Sequence, residues 1–168
     1  MFNKIRNSVF ISVSVFAFAA CHSPKEKSLD NIKKLEAADS IFSPRAIEEL
    51  KNAYLDFSVK YPDDELSPEY IFKAAQRCNA TAEHEQALKL FQQIIDQYPK
   101  SKVAEEALFL QGYIYENSLH DLVKAKTAYS HFLAKYPKSD LTEDAKLAIE
   151  NLGKTPEEIF EKITHKDK

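Results

Sequence analysis

The chain has 168 residues, 44% hydrophobic and 29% charged, with a formal net charge of −3. That length holds about one domain. The sequence pI near 6.0, with no basic stripe, excludes the electrostatic footprint of a nucleic-acid binder. Only two glycines, Gly112 and Gly153, interrupt a helix-friendly composition, and the two cysteines, Cys21 and Cys78, are too few for a disulfide framework once Cys21 is assigned elsewhere.

The first element in chain order stands apart from the rest. Lys4 and Arg6 precede an uncharged run from Val9 to Ala20. That run is too short to span a bilayer as a helix and has the form of a secretory leader, residues 1–20, ending in small side chains. Ala19-Ala20 is followed at once by Cys21. The stretch Phe18-Ala-Ala-Cys21 resembles the lipobox of bacterial lipoproteins. The resemblance implies cleavage before Cys21, acylation of its thiol and anchoring in a membrane. By the same resemblance, His22 in place of an acidic residue implies the outer membrane, facing the periplasm. Cleavage would remove two cations and no anion, taking the net charge from −3 to −5. Residues 21–28 lack an apolar pattern and read as a lipidated tether.

From Leu29 onward a helical period takes over, with Leu29, Ile32 and Leu35 on one face. Ser43-Pro44, Ser67-Pro68 and Thr155-Pro156 each set a capping hydroxyl before a first-turn proline, and Thr155 with Glu158 forms a capping box. Tyr61-Pro62, Tyr98-Pro99 and Tyr136-Pro137 mark stops, because the residue before proline is pushed out of the α region. These signals predict helices at 29–40, 44–61, 68–80, 83–97, 102–117, 121–135, 142–152 and 156–165, and no strand. The expected fold is all-α.

The three Tyr-Pro pairs lie 37 and 38 residues apart, the period of a helical repeat. Sliding one unit on the next matches Ala75 with Gly112, Ala87 with Ala125, Phe91 with Tyr129 and Pro99 with Pro137. The small, small, aromatic and proline positions at these intervals resemble the tetratricopeptide repeat (TPR). The resemblance implies a right-handed superhelix of antiparallel helix pairs. Its repeats fall at about 29–64, 68–101 and 105–139, the first divergent with Ala38, Leu50 and Tyr54 at the small and aromatic places, and 142–165 forms a cap. The domain as a whole is expected over 29–165.

Taken with the lipobox, the chain resembles bacterial envelope TPR lipoproteins. The barrel-assembly TPR lipoprotein, the TPR coordinators associated with Tol–Pal, and small TPR lipoproteins of Bacteroidota whose ending looks like LGKTPEEIFEKI are all of this kind. The resemblance implies a non-enzymatic scaffold with protein partners in the envelope, accessory to outer-membrane protein assembly, or alternatively a coordinator of Tol–Pal and peptidoglycan synthesis. It implies no cofactor, no nucleic acid and no small-molecule substrate.

In such arrays the first helix of each pair lines a groove. The expected lining is Glu69, Phe72, Gln76 and Asn79 from one repeat, then Glu106, Phe109, Tyr113, Glu116 and Asn117 from the next. That face is aromatic and acidic, suited to a basic or amphipathic segment rather than to a C-terminal carboxylate. The alternative is that Phe72 and Phe109 only pack the repeats together. The five histidines make no metal-ligand spacing, and no phosphate loop or nucleophile elbow occurs, so no catalytic or metal residue is expected. Cys78 falls at a packing position. Asp39-Ser40-Ile41 resembles the O-glycosylation motif of Bacteroidota envelope proteins and marks Ser40 as a candidate for modification.

Overall fold

The structure is a computed structural model and describes residues 23–38 and 43–166. The leader, Cys21 and Ser40 lie outside the described residues. Among those described there are eight helices and no strand: α1 (Pro24–Glu36), α2 (Pro44–Lys60), α3 (Ser67–Ala80), α4 (His84–Gln97), α5 (Val103–Asn117), α6 (Leu122–Lys135), α7 (Thr142–Asn151) and α8 (Pro156–Lys166).

Helix α1 starts inside the stretch expected to be a tether. Ser23 Oγ accepts from the Glu26 backbone N–H at 3.2 Å, and the Glu26 carboxylate accepts from the Ser23 backbone N–H at 2.6 Å. With Pro24 at the first position, the first turn is capped without an apolar stripe. The helix also ends earlier than expected, at Glu36. Ala38 therefore lies past the cap, and the side chain α1 buries is Ile32.

Two of the three expected hydroxyl caps form. Ser43 accepts from Ala46 N, and Thr155 and Glu158 exchange bonds at 3.3 and 2.8 Å. Ser67 does not cap; its hydroxyl donates to the Tyr61 carbonyl at 2.5 Å, tying the start of α3 to the end of α2.

The Tyr-Pro stops are three copies of one turn. Tyr61, Tyr98 and Tyr136 each follow a helix, with φ of −132°, −127° and −126°. Each turn closes by a bond from the N–H three residues on, Asp64, Ser101 and Ser139, back to the tyrosine carbonyl. Pro99 and Pro137, expected among the packing residues, are exposed. They act by ending the helix, not by filling space.

Successive helices pack in order from α1 to α7, and α3 also touches α5. The short turns at 81–83 and 118–121 make α3–α4 and α5–α6 antiparallel pairs. Ala75, Ala87 and Ala125 are fully buried, with Phe91 and Tyr129 beside them in the same core. A Cβ built on Gly112 would stand 2.6 Å from the Tyr129 ring, so glycine is required there by contact between α5 and α6.

The end of the array departs from the expected cap. The small position lies fourteen residues after each tyrosine, at Ala75, Gly112 and then Glu150. A glutamate there denies a following helix the close approach that Ala75 and Gly112 allow. Helix α7 packs on α6 as the last helix of the stack, whereas α8 runs along none of the other described helices.

Gly112→Ala gains intrinsic helix propensity of about 1 kcal/mol but presses on a buried ring held at both ends. Overpacking of this kind costs about 1–3 kcal/mol. We expect a net loss of stability with the fold retained, read as a lower midpoint in thermal unfolding. A midpoint equal to or above that of the parent would contradict the close approach of α5 and α6.

Candidate functional site

The expected groove residues separate into four groups. Phe72 is only 6% exposed, with its ring centroid 5.5 Å from that of Phe91. Phe109 lies 5.5 Å from Tyr129 and 5.6 Å from Phe132. Both aromatics are thus occupied by packing, as is Glu116, which accepts from the Tyr129 hydroxyl at 2.8 Å. Asn79 is taken up locally, its Oδ1 lying 2.9 Å from His84 Nδ1 across the α3–α4 turn.

Four residues stay open. Gln76 and Tyr113 sit fifteen residues after Tyr61 and Tyr98, at the same place in α3 and α5, and both are exposed, Tyr113 by 46%. Glu106 and Asn117 of α5 are exposed as well. Glu69 belongs elsewhere: it lines a separate hollow with Leu66, Pro68, Tyr98 and Pro99 at the turn edge of the stack.

Gln76 shares a hollow of about 400 Å³ with Glu36, Tyr54, Lys73, Arg77 and Ala80. The Tyr54 hydroxyl donates to Glu36 at 2.8 Å, and Lys73 Nζ donates to the same carboxylate oxygen at 2.7 Å. Lys73 and Arg77 also stand over the Tyr54 ring, at 5.4 and 5.8 Å from its centroid. One tyrosine from α2 thereby gathers an acid from α1 and two cations from α3.

Burial pushes the Tyr54 phenol up, and its bond to Glu36 adds to this, to about 12. Burial also acts to raise the Glu36 carboxyl. The bonds from Lys73 and Tyr54, with the charges of Lys73 and Arg77, outweigh it and hold the group below its ordinary value of 4.5. The face therefore carries both signs of charge, where an acidic one was expected. Glu36, Tyr54, Lys73 and Arg77 were all missing from the expected lining. Tyr54 was legible as the aromatic of the second helix. Glu36 was not, because spacing from Leu50 points to Ala38 as the small position of the first repeat, six residues beyond the buried Ile32.

Cys78 is fully buried, and burial raises its thiol. That suits the packing position expected for it and leaves little thiolate at neutral pH. Lys51 Nζ bonds both Glu83 and Glu48, at 2.8 and 2.6 Å, linking α2 to the α3–α4 turn.

A model of the tetratricopeptide repeat matches residues 70–101 and 106–139. No curated protein and no solved structure matches the chain. The two matched stretches cover α3 and α5 beyond their first turns, and α4 and α6 with their closing turns; α1–α2 precedes them as a further pair of adjoining helices. The fold is all-helical among the described residues and TPR-like.

The Glu36 cluster gives a signed pH dependence. Because its folded value lies below the ordinary one, the stability it contributes is fully present above about pH 4.5 and is lost as pH falls through the folded value. The group is partly open to solvent, so the effect at neutral pH is about 1 kcal/mol or less. Urea unfolding of the parent and Glu36→Gln should differ at pH 6 and converge toward pH 3. A difference that stays constant with pH would contradict this assignment.

Proposed function

We propose that these repeats form a lipid-anchored scaffold of the bacterial envelope. It faces the periplasm and holds a protein partner on the open side of α1, α3 and α5, as an accessory of outer-membrane protein assembly. Repeat arrays of this kind act by presenting extended surfaces to other macromolecules, and here that role needs no catalytic step. The observation that carries the reading is the open face itself. Gln76 and Tyr113 recur in register on α3 and α5, and Gln76 lines the hollow where Lys73 and Arg77 stand over Tyr54. An exposed tyrosine, an amide and a guanidinium supply adaptable polar contacts around an aromatic body.

The anchor rests on the order of Lys4 and Arg6, the apolar run to Ala20, the small pair and Cys21. Several acyl chains on one terminus hold a protein at a membrane stably, whereas a single chain does so only marginally. Such an anchor would confine the partner search to the membrane surface. The outer-membrane destination follows His22, and the link to barrel assembly rests on the likeness of lipobox and repeats together.

Metabolic labelling with a radioactive or clickable fatty acid should mark the parent and leave Cys21→Ala unlabelled, with the variant released from the membrane fraction. Equal labelling of the two would sink the anchor. Proteins co-purified from native membranes should include barrel-assembly components, and their recovery should fall about tenfold with Arg77→Glu, the loss of one well-placed interfacial contact. Recovery of Tol–Pal components or a peptidoglycan synthase instead would contradict the assembly role.

A further inference from the structure

The stack ends on a pair that is not closed. Eleven residues after each Tyr-Pro tyrosine stand Phe72, Phe109 and Leu147. The first two are covered by aromatics of the next helix, but Leu147 is 53% exposed. At this end, Leu122, Val123, Lys126, Thr127 and Ser130 of α6 and Leu152 after α7 line a hollow of about 580 Å³. Val123 is 77% exposed.

The helix that could fill it half-buries Ile159 but leaves Phe160 outside. Helix α8 runs along none of the other described helices, and its Phe160 is 68% exposed. The turn that directs it away is tied down. Gly153 has φ +77°, Lys154 N donates to the Asn151 carbonyl at 2.9 Å, and Lys154 Nζ donates to the Glu150 carbonyl at 2.6 Å. The Thr155–Glu158 capping box then fixes the first turn of α8. Glu150 also sits where a small residue would be needed for α8 to close on α7 as α6 closes on α5.

We propose that α8 is exchanged between two copies of this chain, Phe160 of each lying in the α6–Leu152 hollow of the other. The charges match: Glu157 lies one turn before Phe160 and Glu161 directly after it on α8, and Lys126 borders the apolar floor of the hollow. Exchange of identical helices gives each copy one donated and one accepted element, so the assembly closes as a two-fold dimer. It uses the end of the stack and leaves the face of α1, α3 and α5 free.

The test places benzoylphenylalanine at Val123 in one tagged copy of the full chain, co-expressed with a second copy bearing a different tag. Illumination of intact cells should join the two tags, with the adduct mapped to residues 156–161 of the second copy. Phe160→Asp in the second copy should reduce that product about tenfold or more, the loss of one buried aromatic. Helical content should be unchanged, since the site is exposed within each chain. Lys126→Glu should weaken the product, and Glu161→Lys in the other copy should restore it. Adducts confined to one chain, adducts only to another protein or to lipid, or no adduct from Val123 would each overturn the exchange.

Discussion

The structure depends on how closely two helices of a pair can approach. Gly112 leaves room for the Tyr129 ring, and no side chain at that place could do so without displacing it. The other contacts of the pair follow from that ring. Its hydroxyl reaches Glu116, and its face meets Phe109, which in turn meets Phe132. Phe132 lies against Tyr136, the residue that ends the helix and turns the chain into α7. Ala75 occupies the corresponding place one repeat earlier, fully buried. Glu150 occupies it one repeat later, and there the pairing stops. One position thus sets where the array continues and where it ends.

The same packing decides which residues are free to meet a partner. Aromatics at the core of each pair are consumed by holding it together, so Phe72 and Phe109 have little left to offer. The positions that remain are those one step further around α3 and α5, Gln76 and Tyr113, together with the cluster that Tyr54 organises. Tyr54 is a packing residue and a gathering point at once: its ring fills the first pair, while its hydroxyl and face collect Glu36, Lys73 and Arg77. On the proposed reading, stability and recognition are coupled through a single side chain. Within that cluster each charged group is held against the Tyr54 ring or hydroxyl.

Most of the fold was legible because its signals are local. Proline after tyrosine, serine before proline and small residues at fixed intervals act over a few residues, and they located the repeat pairs and nearly every boundary. The misreadings share a cause. Ser23-Pro24 carries the same start signal as Ser43-Pro44 but has no apolar stripe behind its first turn, so the apolar period points to a later start for α1. The longer α1–α2 connection then moved the register from Ile32 to Ala38 and hid Glu36. The surface was harder still. Whether Phe72 faces solvent or Phe91 is settled by the pitch between neighbouring helices, a tertiary property that spacing along one chain does not encode. The same holds for α8, whose capping box predicts a helix and says nothing of what it packs against.

The central claim is that the open side of α1, α3 and α5 is the surface that holds another protein. It is tested most directly by a photo-crosslinking residue at Gln76, compared with one at exposed Lys89 on α4, in native membranes. The account predicts a discrete protein adduct from Gln76 that is absent from Lys89. No adduct from Gln76, or the same adduct from both positions, would contradict it.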